Sequence, residues 1–146
     1  MNNLSHVTTV KTEIGDLDAL KAAVGEMKCQ WLEGQKTYKW YGKHVGDYPL
    51  PQGFTASDMG KCNHAIRVPG VQYEVGVVKK GDKYALIWDF WGPGAGLQQK
   101  FGQNLEKLTQ TYAKYAATNA FQSSGYAVEQ LPDENGEMLL RVSSGW

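Results

Sequence analysis

The clearest pattern of apolar and polar positions lies between residues 71 and 91. Tyr73, Val75 and Val77 alternate with Glu74 and Gly76 within residues 71–79, and residues 83–91 are rich in aromatic and aliphatic side chains, with Lys80-Gly81-Asp82 between the two runs. A period of two is typical of β-strands, and a short glycine turn between two such runs predicts an antiparallel hairpin. One face of the second strand carries Tyr84, Leu86, Trp88 and Phe90, and the other carries Ala85, Ile87, Asp89 and Trp91.

Two other stretches have apolar residues at helical spacing. The first begins after Asp16, a good N-cap residue, and ends near Lys28. The second follows a glycine loop and predicts one helix of about six turns that ends at a C-cap glycine, Gly125. The apolar faces of the two helices are formed by Leu17, Leu20, Val24 and Met27, and by Leu97, Phe101, Leu105, Leu108, Tyr112 and Ala116.

Shorter extended runs complete the predicted elements. They are a first strand in residues 5–14, a hairpin of residues 29–33 with 36–41, a strand in residues 64–68, and a hairpin of residues 126–131 with 137–142 across Asn135-Gly136. Two helices on one face of a mostly antiparallel sheet form a two-layer sandwich. We therefore predict a single α+β domain over residues 1–146, with a ferredoxin-like core and extra strands.

The periodicity disappears between Gly42 and Asn63, where glycine, proline and small polar residues dominate. Loops longer than about 15 residues are uncommon inside a compact domain and are usually functional or mobile. We interpret residues 42–61 as a candidate lid or partner-binding loop.

Composition excludes some classes of protein. The chain has 15 basic and 15 acidic residues and 42% hydrophobic residues, as in an ordinary folded protein without a basic surface for nucleic acid. Cys29 and Cys62 do not make a disulfide framework, and no apolar run approaches the roughly 20 residues of a membrane span. The first ten residues do not form a secretory signal. We expect a cytoplasmic protein, or a plastid stromal one if it is organellar, with no membrane contact.

Several segments, in their order, resemble a known family. They are residues 4–20, 63–67, 73–77, 86–91, 108–115, 125–129 and 135–142, with the final Trp146. The family is the hypothetical chloroplast reading-frame family, also called domain of unknown function 1257, of cyanobacteria, algal plastids and viruses. The resemblance covers nearly the whole chain except residues 42–61, and it implies no reaction.

Bacterial members of that family are encoded near AAA-type ATPases and small ferredoxin-like proteins, so the resemblance implies an accessory role. The Gly92-Pro93-Gly94-Ala95-Gly96 insert departs from the family pattern. No site residue is therefore carried over from the family.

Aromatic residues are the strongest functional signal. Five tryptophans and eight tyrosines are more than one small core readily absorbs, and both types are enriched at protein interfaces. We predict Trp40, Tyr41, Tyr48 and Trp91 as exposed anchors of a partner-binding surface. The alternative is that they only cover the edge of the sheet. The favoured function is a non-enzymatic binding or accessory protein, with an AAA-type ATPase as a candidate partner and homo-oligomerisation left open.

Three alternatives involve chemistry rather than contact. Gly94, Ala95 and Gly96 are candidates for binding an anion through N–H groups, although the loop lacks a P-loop pattern and a plain turn with a close approach is favoured. Cys62 and His64 would share one face of a strand, but the paired cysteine spacing of zinc sites is missing, so no metal or cofactor is predicted.

The third alternative is a minor enzyme or a protein that binds a small molecule or nucleotide. His64 with Asp89 or Asp58 could act as base and orienting group, with Cys62 as nucleophile, although no catalytic motif surrounds them. A ligand pocket would then lie between residues 42–61 and the sheet, near Tyr48, His64 and Asp89. In the favoured reading, Asp89 is a solvated or partner-facing residue.

Overall fold

A computed structural model describes residues 6–10, 12–42, 49–131 and 139–144. The strands are β1 (Val7–Thr9), β2 (Gln30–Leu32), β3 (His64–Arg67), β4 (Glu74–Lys80), β5 (Lys83–Asp89), β6 (Tyr126–Leu131) and β7 (Leu139–Ser144). The helices are α1 (Leu17–Glu26), α2 (Ala95–Phe101) and α3 (Glu106–Ser123), and short 3₁₀ turns occur at Ala56–Asp58 and Gly92–Gly94.

The main sheet is antiparallel, with the strand order β1-β5-β4-β3-β2. The predicted central hairpin is confirmed as β4 and β5, with Gly76 opposite Ile87 and Lys80 opposite Lys83. Strands β1 and β2 run parallel because three antiparallel strands separate them, so β1, α1 and β2 form a split β-α-β unit. The predicted C-terminal hairpin is also present, as a separate two-stranded sheet of β6 and β7.

The predicted α+β architecture, with helices against one sheet face, is confirmed. The helix face of the sheet, which α1, α2 and α3 cover, includes Val75, Val77, Leu86 and Trp88, all nearly inaccessible to solvent. Asp16 caps α1 as predicted, because its side chain accepts a hydrogen bond from Ala19 N at 3.0 Å. Tyr112 Oη on α3 accepts bonds from Gly15 N and Asp16 N, which ties the start of α1 to α3.

The prediction of one long second helix is wrong. The helix is interrupted between α2 and α3, where Gly102 has φ 97° and Leu105 has φ 56°. Leu97, Phe101, Leu105 and Leu108 are nevertheless all fully buried. The apolar spacing therefore reports correctly which side faces the core, but it does not detect the break.

The predicted hairpin of residues 29–33 with 36–41 is also wrong. β2 pairs with β3, with Trp31 opposite Ile66. Residues 35–42, here called the strap, instead cross the sheet face opposite the helices, and Tyr38 N donates to Gly60 O at 3.0 Å. The predicted first strand is shorter than expected, since among the described residues between 6 and 14 only Val7–Thr9 form a strand, and Ile14 forms an isolated bridge with Tyr84.

The strap and part of the following loop cover this second face, here called the strap face. A second apolar cluster lies there, formed by Val7, Tyr38, Phe54, Met59, Cys62, Ala65 and Ile87. The described part of the predicted lid or partner-binding loop thus contributes the buried side chains of Phe54 and Met59 to a structural layer. Residues 43–48 of that loop, including the candidate anchor Tyr48, lie outside the described residues.

Candidate partner-binding site

Asp89, at the end of β5, is fully buried. Its Oδ1 accepts hydrogen bonds from His6 N at 3.1 Å and Trp91 N at 3.0 Å, and its Oδ2 accepts one from Tyr41 N at 3.1 Å. The prediction that Asp89 is solvated or partner-facing is therefore wrong. A buried carboxylate needs hydrogen-bond donors, and here three backbone N–H groups supply them, those of His6 and Tyr41 from distant parts of the chain and that of Trp91 from the turn after β5.

Two effects act on the acidity of Asp89. Burial raises the pKa of its carboxyl group above the ordinary value, because the charged form loses its hydration. The N–H groups of Trp91, His6 and Tyr41 act in the opposite direction, since they stabilise the carboxylate. The charged form of Asp89 therefore depends on these three hydrogen bonds for its stability, whereas water would stabilise the charge of an exposed aspartate.

Glu74, at the start of β4, is a second buried carboxylate, at the same end of the hairpin as Asp89. Its Oε1 accepts bonds from Lys39 N at 3.0 Å and Gln35 Nε2 at 2.9 Å. Glu74 Oε2 lies 3.4 Å from Arg67 Nε. Alternate strap residues thus donate their N–H groups to two buried carboxylates, Lys39 to Glu74 and Tyr41 to Asp89.

Glycines allow the strap to lie close to its neighbours. A Cβ added at Gly76 would lie 2.4 Å from Tyr38 Cδ1, so only glycine leaves room for the buried Tyr38 ring on β4. A Cβ added at Gly60, which has φ 82°, would lie 2.4 Å from Trp40 Nε1. The half-buried Trp40 ring therefore packs on the loop, and this contact gives the predicted anchor a structural role as well.

An aromatic surface forms around the Asp89 carboxylate. Trp91 remains 38% exposed, and its ring lies edge-on to the His6 ring at a centroid distance of 5.2 Å. His6 also contacts the Phe90 ring at 5.0 Å, and Tyr41 is half-buried. We call His6, Tyr41, Phe90 and Trp91 the aromatic end patch.

The structure thus brings together two of the four predicted anchors, Tyr41 and Trp91, through their N–H groups on one carboxylate. Sequence reasoning did not include His6 in this patch. Its ring contacts depend on pairing of β1 with the end of β5, where Val7 lies opposite Asp89. No local sequence signal around His6 indicates that pairing.

The proposed catalytic arrangement is not formed. His64 alternates with Ala65 on β3, so its ring lies on the helix face, 5.2 Å from the Trp31 ring and 6.0 Å from the Tyr84 ring. Cys62 and Asp89 lie on the strap face. The expectation that Cys62 and His64 share a face is therefore wrong, because Cys62 precedes the strand.

The polar contacts of these candidates have structural roles. His64 Nδ1 lies 3.0 Å from Gly34 N and 3.2 Å from a carboxylate oxygen of Glu33. Asp58 accepts a bond from Thr55 N at 2.7 Å. Cys62 Sγ donates to a backbone carbonyl 3.2 Å away, and burial raises the pKa of its thiol to about 11, which opposes a nucleophilic role. Among the described residues, no three His, Cys, Asp or Glu side chains are grouped for a metal.

The glycine loop has a packing explanation. A Cβ at Gly94 would lie 1.8 Å from Asp89 O, and one at Gly96 would lie 2.8 Å from a methyl group of Val71. Gly94 N donates to Trp91 O at 3.0 Å, and the helix that follows has only seven residues. Anion binding at Gly94, Ala95 and Gly96 stays a prediction that this geometry does not strengthen.

A cleft of about 590 Å³ separates the loop from the turn end of the central hairpin. It is lined by Thr9, Val10, Glu13, Gln52, Gly53, Phe54, Lys80, Asp82, Lys83, Tyr84 and Ala85. Lys80 Nζ donates to Gly53 O at 2.8 Å and lies 4.1 Å from the centre of the Phe54 ring, so it fixes one wall. Neither His64 nor Asp89 lines this cleft.

Comparison with known proteins gives a family. A family model described as "Protein of unknown function (DUF1257)" matches residues 23–140. The chain belongs to this family. A relative, "Uncharacterized protein ycf35" of Guillardia theta, is 26% identical over 146 residues, which is 95% of this chain and 96% of the relative. No solved structure matches the chain.

The family resemblance predicted from the sequence is thus confirmed, and neither match names a reaction or a partner. Within the ranges that the structure describes, no helix combines the length and apolar character that a membrane crossing requires. The functional assignment therefore depends on the geometry of the surface.

Proposed function

We propose that the protein is a non-enzymatic accessory protein that binds another protein through the aromatic end patch. The supporting observation is the Asp89 carboxylate, which gathers the N–H groups of His6, Tyr41 and Trp91 beneath an exposed indole. Anchors held on a fixed backbone lose less conformational entropy on binding, and tryptophan and tyrosine dominate binding hot spots. The separation of His64 from Cys62 and Asp89 also favours a binding role over a catalytic one.

The finer parts of the proposal concern the partner and the compartment. We propose an AAA-type ATPase as the partner, in the cytoplasm or in the plastid stroma, on the basis of the family resemblance. A second copy of the chain would compete for the same aromatic surface. Homo-oligomerisation is therefore an outcome that the binding experiment distinguishes.

The experiment compares three immobilised proteins: wild type, Trp91→Ala and Phe121→Ala. Phe121 is a matched control, because it is an aromatic residue with 40% exposure near the end of α3. Each protein is incubated with a cyanobacterial lysate, and captured proteins are quantified by mass spectrometry. Each protein that depends on Trp91 is then purified, and its binding is measured by calorimetry.

Loss of a hot-spot tryptophan costs about 2 kcal/mol or more, which corresponds to roughly 30-fold weaker binding. We expect this loss for Trp91→Ala and less than about threefold weakening for Phe121→Ala, with melting temperatures near that of wild type. Equal capture by all three folded proteins would contradict the proposal. Capture of only the chain itself would assign the patch to self-association.

A second candidate function is binding of a small molecule in the cleft between the loop and the central hairpin. Its size of about 590 Å³ is within the range of ligand sites, and the Phe54 and Tyr84 rings offer apolar contact. A metabolite and nucleotide panel can be screened by NMR. Compounds that shift the signals of Phe54, Tyr84 and Ala85 together, with no effect of Trp91→Ala, would favour this function over the first.

A further inference from the structure

A cationic groove lies beside the aromatic end patch. It has a volume of about 440 Å³ and is lined by Gln30, Lys39, Arg67, Val68, Pro69, Gly70, Val71 and Gln72. Lys39 is only two strap residues from Tyr41, and their N–H groups bind the neighbouring carboxylates of Glu74 and Asp89. The groove and the patch are therefore parts of one end of the sheet.

The loop that forms one wall of the groove also reaches the segment after Trp91. Val71 has methyl carbons 2.8 and 3.0 Å from where a Cβ at Gly96 would stand. Tyr73, which follows this loop, lies 3.3 Å from the corresponding position at Gly94. This packing makes the groove wall continuous with the turn that carries Trp91.

The surface of the groove is positively charged. Among the residues that the structure describes, no acidic one lines the groove. The side chain of Arg67 is 42% exposed, whereas that of its partner Glu74 is 1% exposed. Lys39 is exposed, and among the residues with described positions no carboxylate lies within ion-pair distance of it. An approaching molecule therefore meets the positive charges of Lys39 and Arg67, while the carboxylate of Glu74, which pairs with Arg67, is buried beneath them.

We propose that this groove receives an acidic segment of the partner protein, with an Asp or Glu side chain next to the apolar residue that contacts Trp91. This inference rests on the proposed function. Charge complementarity of this kind selects partners and speeds encounter, while each exposed ion pair adds only modest affinity. The partner motif is thus acidic and apolar together.

The test uses a phage-displayed random peptide library, panned at low salt on wild type, Lys39→Glu, Lys107→Glu and Trp91→Ala. Lys39→Glu reverses the charge but keeps the N–H group that Glu74 binds. Lys107, an exposed lysine in the first turn of α3, is the matched control. Affinities of the enriched peptides, and of versions with Asn and Gln in place of Asp and Glu, are measured by fluorescence anisotropy.

We expect enriched peptides with acidic residues next to apolar ones. Their affinity should fall about tenfold for Lys39→Glu and about threefold for the neutralised peptides, and stay unchanged for Lys107→Glu. Apolar peptides without acidic residues, sensitive only to Trp91→Ala, would overturn this inference and leave the proposed function in place. Acidic peptides that bind Lys39→Glu as well as wild type would also overturn it. If no enriched peptide is sensitive to Trp91→Ala, both proposals are wrong.

Discussion

Replacement of Gly76 by alanine should loosen the strap that carries the aromatic surface. The added Cβ would lie 2.4 and 2.9 Å from Tyr38 Cδ1 and Cε1, and 3.0 Å from Ile87 Cγ2, where carbon atoms normally keep 3.5–4.0 Å. The Tyr38 ring is 2% exposed, and its backbone N–H is bound to Gly60 O, so the ring can move away only if the strap lifts.

Overpacking of this kind costs about 1–3 kcal/mol, and the lower entropy of unfolded alanine returns about 0.5–1 kcal/mol. We expect Gly76→Ala to lower the free energy of unfolding by about 1–2 kcal/mol, measured by urea titration at constant m-value. Amide hydrogen exchange at Lys39 and Tyr41 should become faster. Gly25→Ala is the control, because its Cβ meets nothing within 4 Å in α1 and should stabilise the helix by about 0.5–1 kcal/mol.

The Tyr38→Leu background tests the cause. If the ring is what the new methyl group strikes, Gly76→Ala should cost about 1 kcal/mol less in that background than in wild type. A neutral Gly76→Ala, or effects of the two substitutions that simply add, would refute the packing argument.

Three further predictions concern the glycine loop, the buried thiol and the helix pair. Gly94→Ala should lower the free energy of unfolding by more than about 3 kcal/mol, because its Cβ would strike a backbone carbonyl. Gly96→Ala should lower it by about 1 kcal/mol, because its Cβ meets methyl groups that can move. Equal losses in urea titrations would be inconsistent with this packing. Burial raises the pKa of Cys62 to about 11, so in Cys29→Ser, where Cys62 is the remaining cysteine, a thiol reagent should react with the folded protein on the order of 100-fold more slowly than with the unfolded chain. Equal rates would rule out burial of this thiol. Hydrogen bonds from Lys114 and Tyr115 on α3 hold the pKa of Glu26 below its ordinary value. Glu26→Gln should therefore lower the free energy of unfolding by up to about 0.5 kcal/mol at neutral pH. This loss should shrink as acid protonates the wild-type carboxylate, and a difference that is constant with pH would contradict the pairing.

Local patterns predict much of the fold. The alternation around Lys80-Gly81-Asp82 correctly gives the hairpin of β4 and β5, and Asp16 correctly marks the start of α1. The helical spacing does not reveal the break between α2 and α3, because Leu105 stays buried with φ 56° and the apolar pattern continues across a non-helical turn. Gly102 was the available signal, although a single glycine does not by itself end a helix.

The candidate site was predictable only in part, since it depends on contacts between distant residues. Aromatic enrichment selects Tyr41 and Trp91, whose N–H groups the structure brings to one carboxylate beside an exposed indole, while their role in partner binding stays a prediction. The burial of Asp89 could not be read from its strand, because its donors come from the residues before β1, from the strap and from the following turn. The same limit applies to residues 36–41, whose strand-like pattern does not say which element they join.

The central claim is that a single buried carboxylate gathers three chain segments into the aromatic end patch. NMR titration of the amide signals of His6, Tyr41 and Trp91 tests it most directly, with Asp89→Asn as the control. We predict that the three signals shift together with one midpoint above the ordinary aspartate pKa of about 3.9, and that the shift is absent in Asp89→Asn. Separate midpoints, or the same titration in Asp89→Asn, would contradict the claim.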